Sequence, residues 1–139
     1  MKYIKLEEAI SLHDEMIDSI GGSKGYNSIQ IGYLDSALEN IQNDSYYPNI
    51  EDKVTHLVFS CIKFHPFNDG NKRTSILLAD TFLEANKIGL DDEKFYKKME
   101  DIVVKIATDE ISKDDLRDIF KAFIYGSDGD KNKPKKAKQ

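Results

Sequence analysis

The chain has 139 residues, 40% of them hydrophobic and 32% charged, with a formal charge of −5. That length fits one domain around one core, and the acidic balance speaks against general nucleic-acid binding. No apolar run approaches the roughly 18 residues of a membrane helix, and Met1 to Glu8 turns acidic before a signal-peptide hydrophobic stretch could form, so a cytoplasmic protein without a membrane partner is expected. A single cysteine, Cys61, rules out an internal disulfide and a thiolate zinc cluster.

Leu6, Ala9, Ile10, His13, Met16, Ile17 and Ile20 recur every three or four residues and predict an amphipathic helix over residues 5–20. His13, on its apolar stripe, reads as a packed histidine with one satisfied nitrogen, since no acidic or cysteine partner lies at metal-binding spacing. Gly21 to Asn27 breaks the helix with residues that tolerate positive φ, as a connector or as a flap beside a site. Ser28-Ile29-Gln30-Ile31 alternates and suggests a short extended piece. Leu34, Ala37, Leu38 and Ile41 form a second, shorter stripe, ended by Asn43-Asp44 and a turn at Tyr46-Tyr47-Pro48-Asn49.

The third stripe is the most regular: acidic Glu51 and Asp52 in a first turn, then Val54, Leu57, Val58, Cys61, Ile62 and His65 on one face. Pro66 disfavours helical geometry at the residue before it, so this helix should stop at His65. A segment apolar nearly all round follows, from Asn71 to Lys87, expected to be the most buried helix and to be capped by Gly89. Asp91 or Asp92 opens a fifth helix carrying Phe95, Met99, Ile102, Val103 and Ile106. Ser112 and Asp115 form a capping box for the last, whose Leu116, Ile119, Phe120, Phe123 and Ile124 face inward. No strand pair emerges, so the expected fold is all-α, a bundle of about six helices with a possible short extended flap. It spans residues 1–125, and the basic, aperiodic segment 126–139 is expected to be a disordered tail.

Between the third and fourth helices, His65-Pro66-Phe67-Asn68-Asp69-Gly70-Asn71-Lys72-Arg73 gathers chemically useful groups in nine consecutive residues. The first amides of the following helix form an anion site. Lys72 and Arg73 stand in that same turn, where cations oppose the helix dipole unless an anion is bound. Asp69 can hold a magnesium ion, which suits a site with one carboxylate and otherwise water and phosphate oxygens. Gly70 lets the backbone approach a phosphate, Asn71 can cap the helix and also turn its amide toward an oxygen, and His65 can take a proton from a hydroxyl. Each feature alone is common in turns; their concentration points to phosphoryl or nucleotidyl transfer.

This stretch resembles the signature of the Fic/Doc superfamily, His-Pro-Phe-x-Asp/Glu-Gly-Asn-Gly/Lys-Arg. The similarity extends to Gly32-Tyr33-Leu34-Asp35-Ser36-Ala37-Leu38 before it and Phe82-Leu83-Glu84-Ala85-Asn86-Lys87 after it. The mostly AMP-transferring Fic branch has glycine where this chain has Lys72, and a further arginine where this chain has Ile76. Both departures point to the Doc (death-on-curing) branch. The resemblance implies ATP and Mg²⁺ as substrate and cofactor, with the γ-phosphoryl group passing to a Ser/Thr hydroxyl of a translation factor such as elongation factor Tu. By the same resemblance His65 is the base, Asp69 the magnesium ligand, Gly70, Asn71, Lys72 and Arg73 the phosphate cradle, Phe67 the loop anchor, and residues 21–31 a target-docking flap. It also implies a toxin restrained by an antitoxin. No Ser/Thr-x-x-x-Glu-Gly/Asn inhibitory segment occurs, so inhibition is expected from a separate chain, through which any nucleic-acid contact would run. AMP transfer to a protein hydroxyl is the alternative, and a catalytically idle regulatory binding protein is the alternative of another class.

Overall fold

The computed structural model describes residues 1–126, which form six helices: α1 (Leu6–Ile20), α2 (Gln30–Asn40), α3 (Ile50–Phe64), α4 (Asn71–Ala85), α5 (Asp92–Ala107) and α6 (Lys113–Tyr125). The fold is all-α, as the periodicities predict. Side-chain caps explain several starts. Ser112 and Asp115 form a reciprocal capping box, Asp52 Oδ2 accepts from the Asn49 N–H at 2.9 Å, and the Asp91 carboxylate accepts from the Lys94 N–H. Among the described residues there is no sheet. The extended pairing is one isolated antiparallel bridge, Tyr26 to Phe67, flanked by hydrogen bonds from Asn27 N–H to the Pro66 carbonyl (2.9 Å) and from Asn68 N–H to the Gly25 carbonyl (3.0 Å). No helix among these residues is long and apolar enough to cross a membrane.

The helix at the centre is α3 rather than the expected α4. It packs against α2, α4, α5 and α6, whereas α4 packs against α1, α3 and α5. Leu57, Val58 and Cys61 of α3 are fully buried with Leu34 of α2, Leu78 and Phe82 of α4, Met99 of α5, and Leu116 and Phe120 of α6. The surprise has a physical source: α3 also buries Lys53, Thr55 and Ser60, so its sequence looks one-sided while its surface is covered nearly all round. Lys53 is only 1% exposed, and its ammonium donates to the Ile41 carbonyl (2.6 Å) and to Asp44 Oδ1 (2.7 Å). The stem thus packs in the core while the charge fastens the end of α2.

Three local expectations are corrected. Ser28 to Ile31 is not extended: the Asn27 side-chain oxygen accepts from the N–H groups of Ile29 (2.9 Å) and Gln30 (3.0 Å), which starts α2 early, at Gln30. Helix α3 ends at Phe64, one residue sooner than expected, with His65 as its cap. The left-handed residue after α4 is Lys87 (φ 66°), not Gly89. There Lys87 N–H donates to the Glu84 carbonyl and Ile88 N–H to the Leu83 carbonyl, so the need to bury Ile88 against the core sets the reversal. From residue 127 onward the expected tail lies outside the described residues.

On α3, His56 Nδ1 accepts from the Lys113 ammonium at 2.7 Å, and burial, then the Lys113 charge, push the imidazole down from 6.5 to about 4. The unfolded chain therefore binds a proton that the fold refuses. This contribution to stability is complete above pH 6.5 and is lost as pH falls from 6.5 towards 4. Urea unfolding should register a loss of about 1–2 kcal/mol across that window from this group, discounted for its partly exposed ring, and His56→Gln should remove that part of the pH dependence.

Candidate active site

The site begins with a backbone reversal. At the end of α3, His65 takes φ 53° and ψ 55°, a left-handed conformation that few non-glycine residues adopt. Pro66 disfavours the right-handed alternative at the preceding residue, and the chain turns away from the helix axis with the imidazole exposed. Phe67 then plunges inward to 2% exposure and stacks flat on the buried His13 ring of α1, centroids 3.9 Å apart and planes 7° from parallel.

Asn71 closes the loop. Its side chain, 4% exposed, accepts from the Phe67 N–H (2.9 Å) and donates to the Phe67 carbonyl (2.9 Å), so one amide satisfies both polar groups of one buried residue. The same amide nitrogen lies 3.1 Å from His65 Nδ1. Because the Asn71 oxygen is taken by Phe67 N–H, the nitrogen must face the imidazole, and Nδ1 is the accepting atom of the neutral ring with the hydrogen on Nε2. The structure thus differs from the sequence expectation for Asn71. Gly70, at φ 79°, is the N-cap of α4, and the Asn71 side chain bonds back into the loop instead of capping the helix.

Asp69 stands at the surface between two parts of the chain. Its carbonyl accepts from His13 Nε2 at 2.7 Å, and its carboxylate Oδ2 accepts from the Ser23 N–H at 3.2 Å. The segment after α1 therefore does lie against the site, brought there by the Tyr26–Phe67 bridge. Its closeness requires glycine: at Gly22 (φ 126°) a Cβ would fall 2.6 Å from Asp69 Oδ2. Lys72 and Arg73, in the first turn of α4, are exposed and have no carboxylate partner among the described residues. Two unpaired cations at a helix N-terminus oppose its dipole by a few tenths of a kcal/mol each, a conflict that an anion would remove.

These residues border a cavity of about 430 Å³ that takes in His65, Asn68, Asp69, Gly70, Asn71, Lys72 and Arg73. Its far wall was not foreseen from the sequence: Ile76 of α4 with Tyr96, Glu100, Val103 and Val104 of α5. The spacing of those four α5 residues places them on one face, and Val104 is 47% exposed, an apolar side chain left open over the cavity. Tyr96 donates to Asp80 Oδ2 at 3.2 Å, and burial, then the Asp80 charge, push its phenol up, so it stays a hydrogen-bond donor. Cys61 is outside the chemistry. Burial pushes its thiol up to about 12, and its S–H reaches the Asn71 carbonyl at 3.5 Å.

A sequence model described as the Fic/DOC family matches residues 3–83, more than half of the chain. The protein belongs to the Fic/DOC family. It is 34% identical over 131 residues to a protein of Escherichia phage P1 named protein kinase doc, a match covering 91% of this chain and 98% of the phage protein. It is also 34% identical over 89 residues to a protein of Mycolicibacterium smegmatis named toxin Doc, covering 61% of this chain and 68% of that relative. The magnesium ion that the Fic/DOC resemblance implies fits the residues present. Among the described residues no group of three or more His, Cys, Asp or Glu side chains converges. Asp69 offers one exposed carboxylate on the cavity rim, as suits an ion completed by water and phosphate oxygens.

The contact of this Fic/DOC loop with α1 is tightest at Gly70, where a Cβ would lie 2.8 Å from Met16 Cε and 3.2 Å from Ile17 Cδ1. Gly70→Ala is expected to lower stability by about 1–3 kcal/mol in thermal unfolding, because the new Cβ would sit at a left-handed φ and crowd Met16 and Ile17. Gly32→Ala, in a helix with nothing within 4 Å of the new Cβ, should leave stability unchanged or raise it slightly.

Proposed function

We propose that the protein is a Doc-type toxin, a protein kinase that passes the γ-phosphoryl group of ATP to a serine or threonine hydroxyl of a translation factor of the elongation factor Tu type. The observation that carries the choice of reaction is the charge pattern of the cavity. Cations stand only at the α4 N-terminus, Lys72 and Arg73, while Ile76, one turn on, is a buried apolar wall residue. By resemblance, AMP-transferring relatives carry glycine at the first of these positions and a further arginine at the last. A lysine there adds a point charge suited to a terminal phosphate and fills the space in which a phosphate would otherwise lie against the backbone. The phage P1 relative, named a protein kinase, supports the same choice.

In this mechanism the α4 amides, Lys72 and Arg73 hold the phosphates, and Asp69 would hold magnesium, which when bound neutralises charge on the phosphate oxygens. The protein hydroxyl attacks the γ-phosphorus, the bond to the β,γ-bridging oxygen breaks, ADP leaves, and the hydroxyl proton passes to His65. Positioning supplies most of the catalysis, because phosphoryl transfer asks little covalent chemistry of the enzyme. The lone pair of His65 lies on Nδ1 beside the Asn71 amide. The hydroxyl must therefore reach that nitrogen, or the ring must turn, before the proton moves. A cytoplasmic setting follows from the proposed ATP and translation-factor substrates, and a separate antitoxin chain is the proposed partner.

AMP transfer is the second reading, favoured by the left-handed Gly70 and by the complete His65-to-Arg73 frame. Incubation with ATP labelled at the α or the γ position and with elongation factor Tu separates the two. Label should pass from the γ position and not from the α position; α transfer would establish AMP transfer instead. His65→Ala should lower the rate about 10²–10⁴-fold. Growth inhibition that survives both His65→Ala and Asp69→Ala would mean a binding role without catalysis.

A further inference from the structure

We infer that His13 of α1 is a positioning residue of the reaction centre, setting the Asp69–Gly70 peptide, and with it the Asp69 carboxylate and the first turn of α4, through one hydrogen bond and one aromatic stack. The inference deepens the transferase reading above and rests on it for the roles of Asp69 and Gly70. The sequence alone suggests a packed histidine with one satisfied nitrogen, but both ring nitrogens have acceptors in reach. Nε2 is 2.7 Å from the Asp69 carbonyl and Nδ1 is 3.0 Å from Asp14 Oδ1, while the ring itself is fully buried. A carbonyl only accepts, so Nε2 carries the hydrogen and donates it. Asp14 on the opposite nitrogen prevents the ring from turning in its pocket, and Phe67 covers its face.

The consequence for the site follows from peptide geometry. In a trans peptide the C=O and the next N–H point in opposite directions. By holding the Asp69 oxygen toward α1, His13 makes the Gly70 N–H point away from α1, and Gly70 borders the cavity. Met16 and Ile17, one turn after His13 on the same face, close against Gly70. The three side chains together form a seat from which the loop cannot rotate without losing the hydrogen bond to a buried imidazole and a stack. A packing residue would supply the stack alone; the directed N–H is what a site needs to fix the orientation of a peptide.

Two variants separate these contributions. His13→Phe retains a ring against Phe67 and removes the donor, and His13→Gln offers an amide N–H at a similar reach. Groups that orient a ligand-binding residue typically contribute 10–100-fold in activity or metal affinity. His13→Phe is expected to lower kcat and the Mg²⁺-dependent gain in ATP affinity, read by calorimetry, by about that factor, with little change in ATP affinity without metal; His13→Gln should restore most of the loss. Amide hydrogen exchange at residues 67–72 should speed up in His13→Phe and stay near wild type in His13→Gln. In the unmodified protein, nitrogen-15 spectra should find a slowly exchanging proton on His13 Nε2, a measurement that needs no variant to fold. If the wild-type protein neither transfers phosphate or AMP nor binds Mg²⁺ with ATP, the transferase reading fails, and exchange still decides whether His13 sets the loop. A folded His13→Phe with wild-type exchange and kinetics, or a His13 ring with its hydrogen on Nδ1 alone, overturns the inference.

Discussion

Between Phe67 and Asn71 the chain folds back around one buried carboxamide, and the arrangement of the site depends on that group. It satisfies the N–H and the carbonyl of Phe67 and still reaches His65 Nδ1. Without it, two backbone groups of a residue 2% exposed would be left unpaired, at about 1–3 kcal/mol each. Because these bonds hold Phe67 in place, its ring can press on His13, and because it presses there, the Asp69 carbonyl comes within 2.7 Å of an imidazole N–H. The exposed cations follow at the start of α4. Buried polar satisfaction on one side of the loop thus produces a surface of unsatisfied polar groups on the other.

The helices α3 and α4 supply the rigidity. Both are anchored in the same core, and the loop spans only residues 65–70 between them, too few to wander. Helix α1 and the glycine segment after it approach from the far side and touch the loop at Asp69, Gly70 and the Tyr26–Phe67 bridge. The cavity is completed by α5, which joins through its packing on α3 and α4. Residues from His13 to Val104 therefore meet at one place.

Much of this was legible in the sequence because periodicity reports a helix whose exposed face stays polar. Helix α6 obeys that rule, α1 and α5 obey it apart from the exposed Ile20 and Val104, and the loop announced itself by composition. Three features were hidden, each for a separate reason. The centrality of α3 was masked by Lys53, Thr55 and Ser60, polar residues whose burial depends on neighbours from elsewhere in the chain. The α5 wall carries a tyrosine, a glutamate and two valines, a mixture with no signature of its own. The partner of His13 is a backbone carbonyl 56 residues away, and a carbonyl leaves no trace in the identity of its residue. Asn71 was recognised by type, but the cap position falls to Gly70, since an amide at a helix start can cap forward or brace backward.

The left-handed backbone at His65 gives the site a character of its own. That conformation suits glycine or asparagine and costs another L-residue about 1–2 kcal/mol. In the proposed reaction an imidazole is required where the backbone would prefer no side chain. The end of α3 is therefore a point of frustration, held by Pro66 and by the two apolar helices that the loop joins. If His65 is the proposed base, a substitution that improves folding at this position would be one that removes the reaction, a trade between stability and activity set by a single backbone angle.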